Sequence, residues 1–333
     1  MSGEGKAVLV TGASGFVGRW VASALALAGY QPRLLLRSMA RLPPQLGGME
    51  VAPGDLTCPT TLPPALEGCW GVVHCAADYR LALGPGDLRR MLEVNVGGTA
   101  SLLQAAARAG VARFVHCSTV GTLHFSRAGE LRSELDLARD ASDLPGAYKR
   151  SKWAAQKLVE GFPGPMQVVV VQPSTPVGVG DRRPTPTGAI IRDFLGGRIP
   201  AATDTGLNLV DVRAVGRGHV LALEGGRPGR SYILGDQNWT MSRLLCELAR
   251  LAGRPAPRYR IPIWMGFAAA VVSEGSAAVR HRAPGIPLTA VRMAARPMYV
   301  TAERARSELG WTPGDLQEAL RQAVAELGPR GDG

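Results

Sequence analysis

Short apolar runs alternate with longer helical stretches in the first half of the chain. The pattern predicts strands at residues 7–11, 33–36, 71–75 and 113–117, and helices at residues 16–28 and 88–109. Strands separated by helices of this length indicate right-handed βαβ units, and therefore a parallel sheet. A further helix at residues 144–161 precedes residues 167–172, an uninterrupted apolar run typical of a central parallel strand. The predicted fold class is α/β, with a doubly wound parallel sheet.

The amino-acid composition of the chain changes after Pro173. Residues 173–188 are rich in Pro, Gly and Thr, and predict a long loop over a site. Later elements, among them those at residues 231–234 and 242–252, alternate less regularly. We therefore predict that residues 1–173 carry the sheet and that residues 174–333 form mainly a smaller C-terminal substrate-binding region, from which the chain can return to the sheet.

Composition narrows the class of protein. Of 333 residues, 46% are hydrophobic and 20% are charged, which suits a large buried core and excludes a disordered chain. The five cysteines never stand at C-x-x-C spacing, so neither a disulfide framework nor a zinc site is expected. The N-terminus leads directly into the first strand, and no uncharged apolar run reaches about 18 residues. A cytoplasmic protein is therefore expected.

The net charge of +11 raises the question of an anionic partner. It comes from 38 basic residues, and its arginines are spread along the whole chain. The sequence contains neither aromatic–basic interleaving nor a nucleic-acid module. We therefore interpret most of this charge as solvated surface and expect no nucleic-acid partner.

A glycine-rich turn follows the first strand and opens the first helix, with G-x-x-G-x-x-G spacing. Glycine is needed where a backbone turns tightly and approaches a pyrophosphate, and the helix N-terminus offers free N–H groups to the anion. This context predicts a dinucleotide site in a Rossmann-type sheet. The cofactor-binding residues predicted here are Gly12, Ser14, Gly15, Phe16, Val17 and Gly18.

The end of the second strand bears on the choice of cofactor. Sites that prefer NAD place an acid there, which binds the ribose 2′-hydroxyl and would repel a 2′-phosphate. This chain has Arg37 and Ser38 instead, with Arg41 nearby and no acid between Gln31 and Met49. Arginine and serine bind phosphate, so NADP(H) is favoured. NAD(H), with Arg37 stacked on the adenine, is the alternative.

A second cofactor contact is predicted at Gly54-Asp55-Leu56. A strand end there would offer Asp55 to the adenine amino group, so Asp55 and Leu56 join the predicted cofactor site. An ordinary exposed loop aspartate is the alternative.

A Y-x-x-x-K pair stands on the helix predicted at residues 144–161. Residues four apart share a helix face, so the Lys152 ammonium can lie beside the Tyr148 phenol and lower its pKa. The tyrosine then serves as an acid or base near neutral pH. Ser118 and Thr119 follow a strand, and so stand at the carboxyl edge of the sheet, where ligands of doubly wound folds bind.

Together these motifs resemble the extended short-chain dehydrogenase/reductase superfamily, and within it the NAD-dependent epimerase/dehydratase family. The resemblance covers essentially the full chain and is strongest to hopanoid-associated sugar epimerases, neighbours of the dihydroflavonol reductases and 3β-hydroxysteroid dehydrogenases. The matching strings are TGASGFVG at 11–18, GDL at 54–56, AADYR at 76–80, NVGGT at 95–99, YKRSK at 148–152, PSTPVG at 173–178, PTPTG at 184–188 and DTGLNLVD at 204–211.

The resemblance implies roles for further residues. Tyr148 exchanges a proton with the reacting oxygen, while Lys152 holds the ribose hydroxyls and tunes Tyr148. Relatives usually carry serine at the second position of a Ser-Ser pair, which is Thr119 here, with Ser118 as the alternative. Asn95 helps brace the active-site helix. The remaining implied cofactor contacts are Ala76, Ala77, Pro173, Thr175 and Val177, the last three against the nicotinamide.

The implied activity is oxidation or reduction of a secondary alcohol or ketone, on a polycyclic lipid of hopanoid or sterol type or on its sugar-derived side chain. The alternative is a sugar or sugar-nucleotide epimerase, which uses the same residues and retains its nicotinamide. A non-catalytic NADP-sensing protein is the second alternative. The expected partner is a small, lipid-like molecule, and a homodimer is compatible with the resemblance.

Residues 261–272 form an uncharged apolar run too short to span a bilayer, and predict a core-packing or substrate-pocket helix. The alternative is peripheral contact with an anionic membrane face, because one acid, Glu274, and six arginines accompany the run. These arginines are Arg258, Arg260, Arg280, Arg282, Arg292 and Arg296. The five histidines show no metal-ligand spacing and are interpreted as core or surface residues, so no metal is expected.

Overall fold

The computed structural model of the chain describes residues 3–80, 83–84, 86–125, 130–182, 184–203, 205–280, 288, 291–292 and 295–328. Its strands are β1 (Ala7–Thr11), β2 (Gln31–Leu36), β3 (Glu50–Pro53), β4 (Gly71–His74), β5 (Arg113–Cys117), β6 (Gln167–Pro173), β7 (Thr175–Val177), β8 (Ala201–Thr203), β9 (Gly206–Asp211), β10 (Ser231–Leu234), β11 (Gln237–Thr240) and β12 (Tyr259–Ile261). Its helices are α1 (Phe16–Leu27), α2 (Leu62–Leu66), α3 (Asp87–Leu92), α4 (Gly98–Arg108), α5 (Ala147–Glu160), α6 (Pro186–Leu195), α7 (Val212–Gly225), α8 (Met241–Ala252), α9 (Ile263–Arg280), α10 (Glu303–Leu309) and α11 (Leu316–Leu327). Asp204, Arg282 and the side chains of Arg41 and Arg280 lie outside the described part.

Seven of the described strands form one sheet, in the order β10-β6-β5-β4-β1-β2-β3. All of their pairings are parallel, and Val10, for example, stands between Leu34 and Val73. Strand β10 lies beyond residue 173 and pairs with β6, so the chain does return to the sheet. The predicted Rossmann-type doubly wound sheet is confirmed.

Helices cover both faces of this sheet. Helices α1 and α7 pack on one face, where Leu25 and Val215 are fully buried. Helices α2, α4 and α5 pack on the other face, where Leu66, Leu102 and Val159 are fully buried. Because both faces are covered, β6 is apolar at successive positions instead of alternate ones.

The strand order reverses between β1 and β4. The chain runs outward from β1 through β2 and β3, and then returns to the other side of β1 for β4, β5 and β6. Ligands of open parallel sheets bind outside the carboxyl ends of the strands at such a reversal. The ends of β1, β4 and β5 therefore mark the place of a candidate site.

A separate apolar core holds the C-terminal region together. It includes Phe194 of α6, Leu248 of α8 and Leu320 of α11. The prediction of a long loop at residues 173–188 is wrong at both ends, because Thr175–Val177 forms a strand that pairs with β9, and α6 begins at Pro186. Val177 is buried in this core, which explains why so short a segment is held as a strand.

Helix α9 covers most of the apolar run at residues 261–272. It buries Ala270 and Ala277 and half-buries Ile263 and Phe267, whereas four of its large apolar side chains are exposed. The exposed ones are Trp264 at 64%, Met265 at 43%, Val271 at 61% and Val272 at 72%. The core-packing interpretation is therefore wrong for these side chains. Within the described residues, no helix has the length and apolarity needed to cross a membrane.

Candidate active site

The turn between β1 and α1 lies against the end of β4. Gly12 has a φ of +75°, and a Cβ at this position would stand 2.6 Å from the Ala76 backbone nitrogen. A Cβ on Gly18 would stand 2.2 Å from the Gly12 carbonyl oxygen. Both contacts involve backbone, which cannot move aside cheaply. These two positions therefore require glycine.

The first turn of α1 is open to an anion. Gly15 is its N-cap, and no side chain of the described residues caps its free N–H groups. Ser14, Phe16 and Val17 lie half-buried around Gly15 in the same turn. Free N–H groups at the positive end of a helix suit a pyrophosphate, so this turn fits the dinucleotide that the sequence predicts.

Arg19, which was not among the predicted residues, braces this turn from within the protein. It is buried, and its guanidinium donates to the Gly15 carbonyl oxygen at 3.1 Å and to that of Ser14 at 3.4 Å. Burial, with Arg182 nearby, lowers the pKa of Arg19. The signal in the sequence is a charge on an otherwise apolar helix.

A cavity of about 320 Å³ lies at the ends of β2 and β3, beside α3. Three arginines line it, Arg37, Arg89 and Arg90, together with the acids Asp55 and Glu93. Among the described residues, none of the three arginines takes part in an ion pair. Arg89 and Arg90 were not predicted, because they come from a helix far along the chain from β2.

Asp55 and Ser38 both make local hydrogen bonds. Asp55 Oδ1 accepts from the Thr57 N–H at 3.0 Å and from its hydroxyl at 2.9 Å, and Ser38 Oγ accepts from the Ala40 N–H at 3.3 Å. Leu56, the residue after Asp55, is buried. The loop-aspartate and adenine-binding interpretations of Asp55 are both compatible with this geometry, since only one of its carboxylate oxygens is used by Thr57.

Asn95 joins the loop after β4 to helix α5. It is buried within a single π-helical turn, Glu93–Gly97, between α3 and α4. Asn95 Nδ2 donates to the Asp78 carbonyl oxygen at 2.8 Å and to Ser151 Oγ at 2.9 Å, while Oδ1 accepts from the Asp78 N–H at 2.7 Å. The π turn thus directs Asn95 between the loop that carries Ala76 and Ala77 and the helix that carries Tyr148.

Thr119 stands in the turn after β5, next to the N-terminal part of α5. A Cβ on Gly121 would stand 3.3 Å from Thr119 Cγ2 and 3.4 Å from Lys149 Cγ, which shows how closely this turn and α5 pack. Thr119 is half-buried, and its Oγ1 accepts from the Gly121 N–H at 3.1 Å. Within the described part of the chain no acceptor takes the hydroxyl hydrogen of Thr119, so this hydrogen can be donated to a ligand.

Lys152 Nζ donates to the Cys117 carbonyl oxygen at 2.7 Å and lies 3.5 Å from His116 Nε2. Burial raises the pKa of Tyr148, and the Cys117 thiol and Tyr79 add to that effect. The prediction that Lys152 lowers the pKa of Tyr148 is therefore wrong for this structure, because burial dominates and the ammonium is directed at the end of β5.

Two buried histidines lie behind Lys152. His74 is hydrogen-bonded through Nδ1 to Thr11 Oγ1 at 2.7 Å and through Nε2 to Thr99 Oγ1 at 2.9 Å. Burial, assisted by Lys152, lowers the pKa of His74 to about 3. The same two causes hold the pKa of His116 well below its usual value. Both imidazoles are therefore neutral near pH 7.

The remaining predicted residues lie at the end of β6. Pro173 closes that strand, and Thr175 and Val177 belong to β7, which starts two residues later. The Ser174 N–H donates to the Leu234 carbonyl oxygen of β10 at 3.0 Å, which fixes the connection between the two strands. The structure thus places most of the predicted residues beyond the carboxyl ends of β1 to β6, whereas Val177 lies in β7 and is buried in the C-terminal core.

Comparisons with known proteins agree with this arrangement. A Synechocystis sp. protein named "Putative dihydroflavonol 4-reductase" is 38% identical over 95% of this chain and 92% of its own length. Sterol demethylase protein B of Methylococcus capsulatus is 31% identical over 97% of this chain and 98% of its own. The crystal structure of gox2253 matches with a TM-score of 0.81 at 36% identity, and covers 96% of this chain and 97% of that one.

Fold, site and relatives together define an NAD(P)-dependent enzyme of the extended short-chain dehydrogenase/reductase type. Residues 8–235 match the family described as the NAD dependent epimerase/dehydratase family. The chain belongs to that family, and the family predicted from the sequence is confirmed.

Proposed function

We propose that this enzyme uses NADP(H) to reduce a ketone to a secondary alcohol, or to run the reverse reaction, on a polycyclic, lipid-like substrate. The observation that carries the proposal is the pair of donors at the end of β5. The Thr119 hydroxyl has a free hydrogen, and the Tyr148 phenol comes from the helix packed against the same turn. A ketone oxygen placed between them would accept two hydrogen bonds.

Each residue of the site then has a defined task. Burial keeps the Tyr148 phenol protonated at neutral pH, so it serves as the acid that protonates the ketone oxygen. Lys152 has three N–H donors; one is used on the Cys117 carbonyl oxygen and one points to His116 Nε2, which leaves the third for a ribose hydroxyl. The bound cofactor supplies the hydride. Asn95 holds α5 and the loop after β4 at a fixed distance.

The arginine-lined cavity supports the choice of NADP(H). Arg37 follows β2, where the 2′-substituent of the adenosine ribose is expected, and Arg89 and Arg90 face the same cavity from α3. A 2′-phosphate would supply an anion to these three exposed side chains, which form no ion pair with any residue that the structure describes. Asp55 and Glu93 share the cavity, so the phosphate would have to lie nearer to the arginines than to these acids.

The outer surface of α9 supports a lipid-like substrate. Along the sequence, exposed arginines stand on either side of α9 and its exposed apolar side chains, and they are Arg258, Arg260, Arg292 and Arg296. Apolar and basic groups side by side match the acyl region and the headgroups of an anionic membrane. The name of the Methylococcus capsulatus relative refers to a sterol, which agrees with a substrate taken from a membrane.

The test is NADPH-dependent turnover with 3-keto polycyclic lipids and, in parallel, with sugar nucleotides. We expect NADPH to bind more tightly than NADH and to weaken with salt. Arg37→Ala should weaken NADPH binding about 10-fold to 100-fold and leave NADH binding nearly unchanged. Tyr148→Phe should lower turnover about 100-fold or more with cofactor binding retained. Tyr259→Phe, which alters an exposed tyrosine, is the matched control.

Three results would contradict the proposal. NADH binding as tightly as NADPH would remove the cofactor assignment. Nicotinamide that survives dialysis, with interconversion of a sugar and no net oxidation, would show an epimerase. Tight NADPH binding without turnover of any ketone would indicate the non-catalytic sensor.

A further inference from the structure

Two cysteines and a histidine meet beneath the carboxyl edge of the sheet. Cys75 and Cys117 follow His74 and His116, which are register partners on β4 and β5. Successive residues of a strand point to opposite faces, so the two thiols lie on the face away from the imidazoles that precede them. His219 reaches the thiols from α7. The two Sγ atoms and a ring nitrogen of His219 all lie within 4.8 Å of one another.

His219 directs a lone pair at the thiols. Its Nδ1 lies 2.8 Å from the Val215 carbonyl oxygen, which can only accept, so Nδ1 carries the hydrogen. The neutral ring then has its lone pair on Nε2. His219 is fully buried, and Nε2 has no hydrogen-bond partner among the described residues. Metal-bound histidines show the same arrangement, with one nitrogen held by a carbonyl and the other on the ion.

We propose that Cys75 Sγ, Cys117 Sγ and His219 Nε2 form a binding site for a thiophilic divalent cation, with Zn²⁺ as the best match. Two thiolates and one imidazole balance the charge of the ion and are the soft ligands that zinc prefers. A water molecule would complete the tetrahedron. With Zn–S bonds of about 2.3 Å and Zn–N bonds of about 2.0 Å, ligand atoms stand about 3.5 Å apart, so atoms that now lie within 4.8 Å of one another would contract by at most about 1 Å.

An ion would displace the thiol protons when it binds, because the thiolates are the metal ligands. Cys75 is half-buried, so it also marks the side from which an ion enters.

Occupation of this site would inhibit the enzyme, a consequence that rests on the proposed function. Cys117 is next to Ser118 and two residues from Thr119, and its carbonyl oxygen holds Lys152 Nζ at 2.7 Å. Cys75 precedes Ala76, which packs against Gly12. Because the two thiolates neutralise the ion, its effect on the enzyme would be geometric: drawing the two sulfurs together would shift both strand ends of the candidate active site.

The experiment uses Co²⁺ as an optical probe for the full chain, reduced with a phosphine. We expect one Co²⁺ per chain, a thiolate-to-cobalt charge-transfer band, the intense visible bands of tetrahedral cobalt, and displacement by Zn²⁺. Cys75→Ser, Cys117→Ser and His219→Gln should weaken binding more than about 100-fold, beyond the usual cost of losing an outer-shell partner. Cys58→Ser and Cys246→Ser, which alter exposed cysteines, should leave the spectrum unchanged.

The spectrum separates this proposal from the proposed function, because it does not depend on turnover. Absence of the charge-transfer band in the reduced chain would overturn the site, as would a band that survives in Cys75→Ser. Cys75 is the least buried of the three ligands, and circular dichroism of that variant shows whether it is folded. If Co²⁺ binds as described but the enzyme reduces no ketone, the metal site stands and the reductase proposal falls.

Discussion

The adjacent hydroxyls of Ser118 and Thr119 have different surroundings. Ser118 is buried and donates to Gln156 Oε1 at 2.6 Å, so its hydrogen is already used inside the protein. Thr119 is half-buried and keeps its hydrogen. The sequence alone places both residues at the strand end and leaves both as candidates, because the direction of each side chain depends on the turn that follows.

This difference predicts the result of three substitutions. Thr119→Val keeps the shape of the side chain and removes the donor, so kcat/KM should fall about 100-fold, as for the loss of one oxyanion donor. Thr119→Ser should retain most activity. Ser118→Ala should keep turnover within a few-fold and lower the free energy of unfolding by about 1 kcal/mol. Steady-state kinetics and urea unfolding check both effects, and loss of turnover in Ser118→Ala alone would reverse the assignment.

The neutral state of His74 makes folding stability depend on pH. An unfolded histidine gains a proton below about pH 6.5, whereas folded His74 does not until about pH 3. The unfolded state therefore binds more protons in this window, and stability falls as the pH falls. For His74 alone, the free energy of unfolding should drop by about 1.4 kcal/mol between pH 7.5 and pH 5.5.

The measurement is urea unfolding at both pH values for the wild type and for His74→Asn, which cannot titrate here. The pH dependence should shrink by about 1.4 kcal/mol in the variant. His124→Asn, outside the His74–His116 pair, serves as the control. An unchanged pH dependence in His74→Asn would show that other groups cause the acid sensitivity.

Helices α1 and α7 pack with their backbones in close contact. A Cβ on Gly216 of α7 would stand 2.6 Å from the Trp20 carbonyl oxygen of α1. Backbone at that distance cannot rotate away as a side chain can, so an added methyl group must push the two helices apart. The sequence shows a glycine in a helical stretch, but only the structure shows what stands opposite it.

Gly216→Ala should therefore destabilise the protein by about 1–3 kcal/mol, even though alanine favours helix by up to about 1 kcal/mol. Gly225→Ala is the matched control in the same helix, because a Cβ at Gly225 meets nothing within 4 Å. That variant should be neutral or slightly stabilised. Thermal unfolding of both variants checks the comparison, and equal melting temperatures would refute the close-packing argument.

The elements themselves were largely predictable, because strands covered on both faces are apolar at successive positions and the helices between them are long. The exceptions have physical reasons. The π turn that positions Asn95 runs directly between α3 and α4, so the sequence shows one continuous helix at residues 88–109. Strand β7 is three residues long and depends on its pairing with β9, which no local pattern reveals.

Site residues that stand in local sequence motifs were predictable, whereas those that tertiary packing brings together from distant parts of the chain were not. Gly12, Tyr148 and Lys152 stand in local motifs. Arg89 and Arg90 reach the cavity near Arg37 only through the packing of α3, and the direction taken by Lys152 depends on the end of β5. Contacts of this kind are set by tertiary packing, so spacing rules cannot find them.

At the scale of the molecule, the surface of α9 is the feature that bears on location. We expect the protein to co-sediment with vesicles that contain phosphatidylglycerol at low salt, and to be released at high salt. A Trp264→Ser/Val272→Ser variant should lose most of this binding. Leu27→Ser, which alters another apolar side chain at 90% exposure, should not. Equal recovery with phosphatidylcholine vesicles would contradict the membrane contact.

The position of β10 has a consequence for the synthesis of the chain. When residue 173 leaves the ribosome, β6 is complete, yet both its neighbour β10 and the covering helix α7 still await translation. The valines at residues 168–171 then present an unpaired apolar edge, the kind of surface on which nascent chains aggregate. The nucleotide-binding half therefore depends on the second half of the chain for its protection, and a ribosome pausing between residues 173 and 231 would prolong the most vulnerable stage of folding.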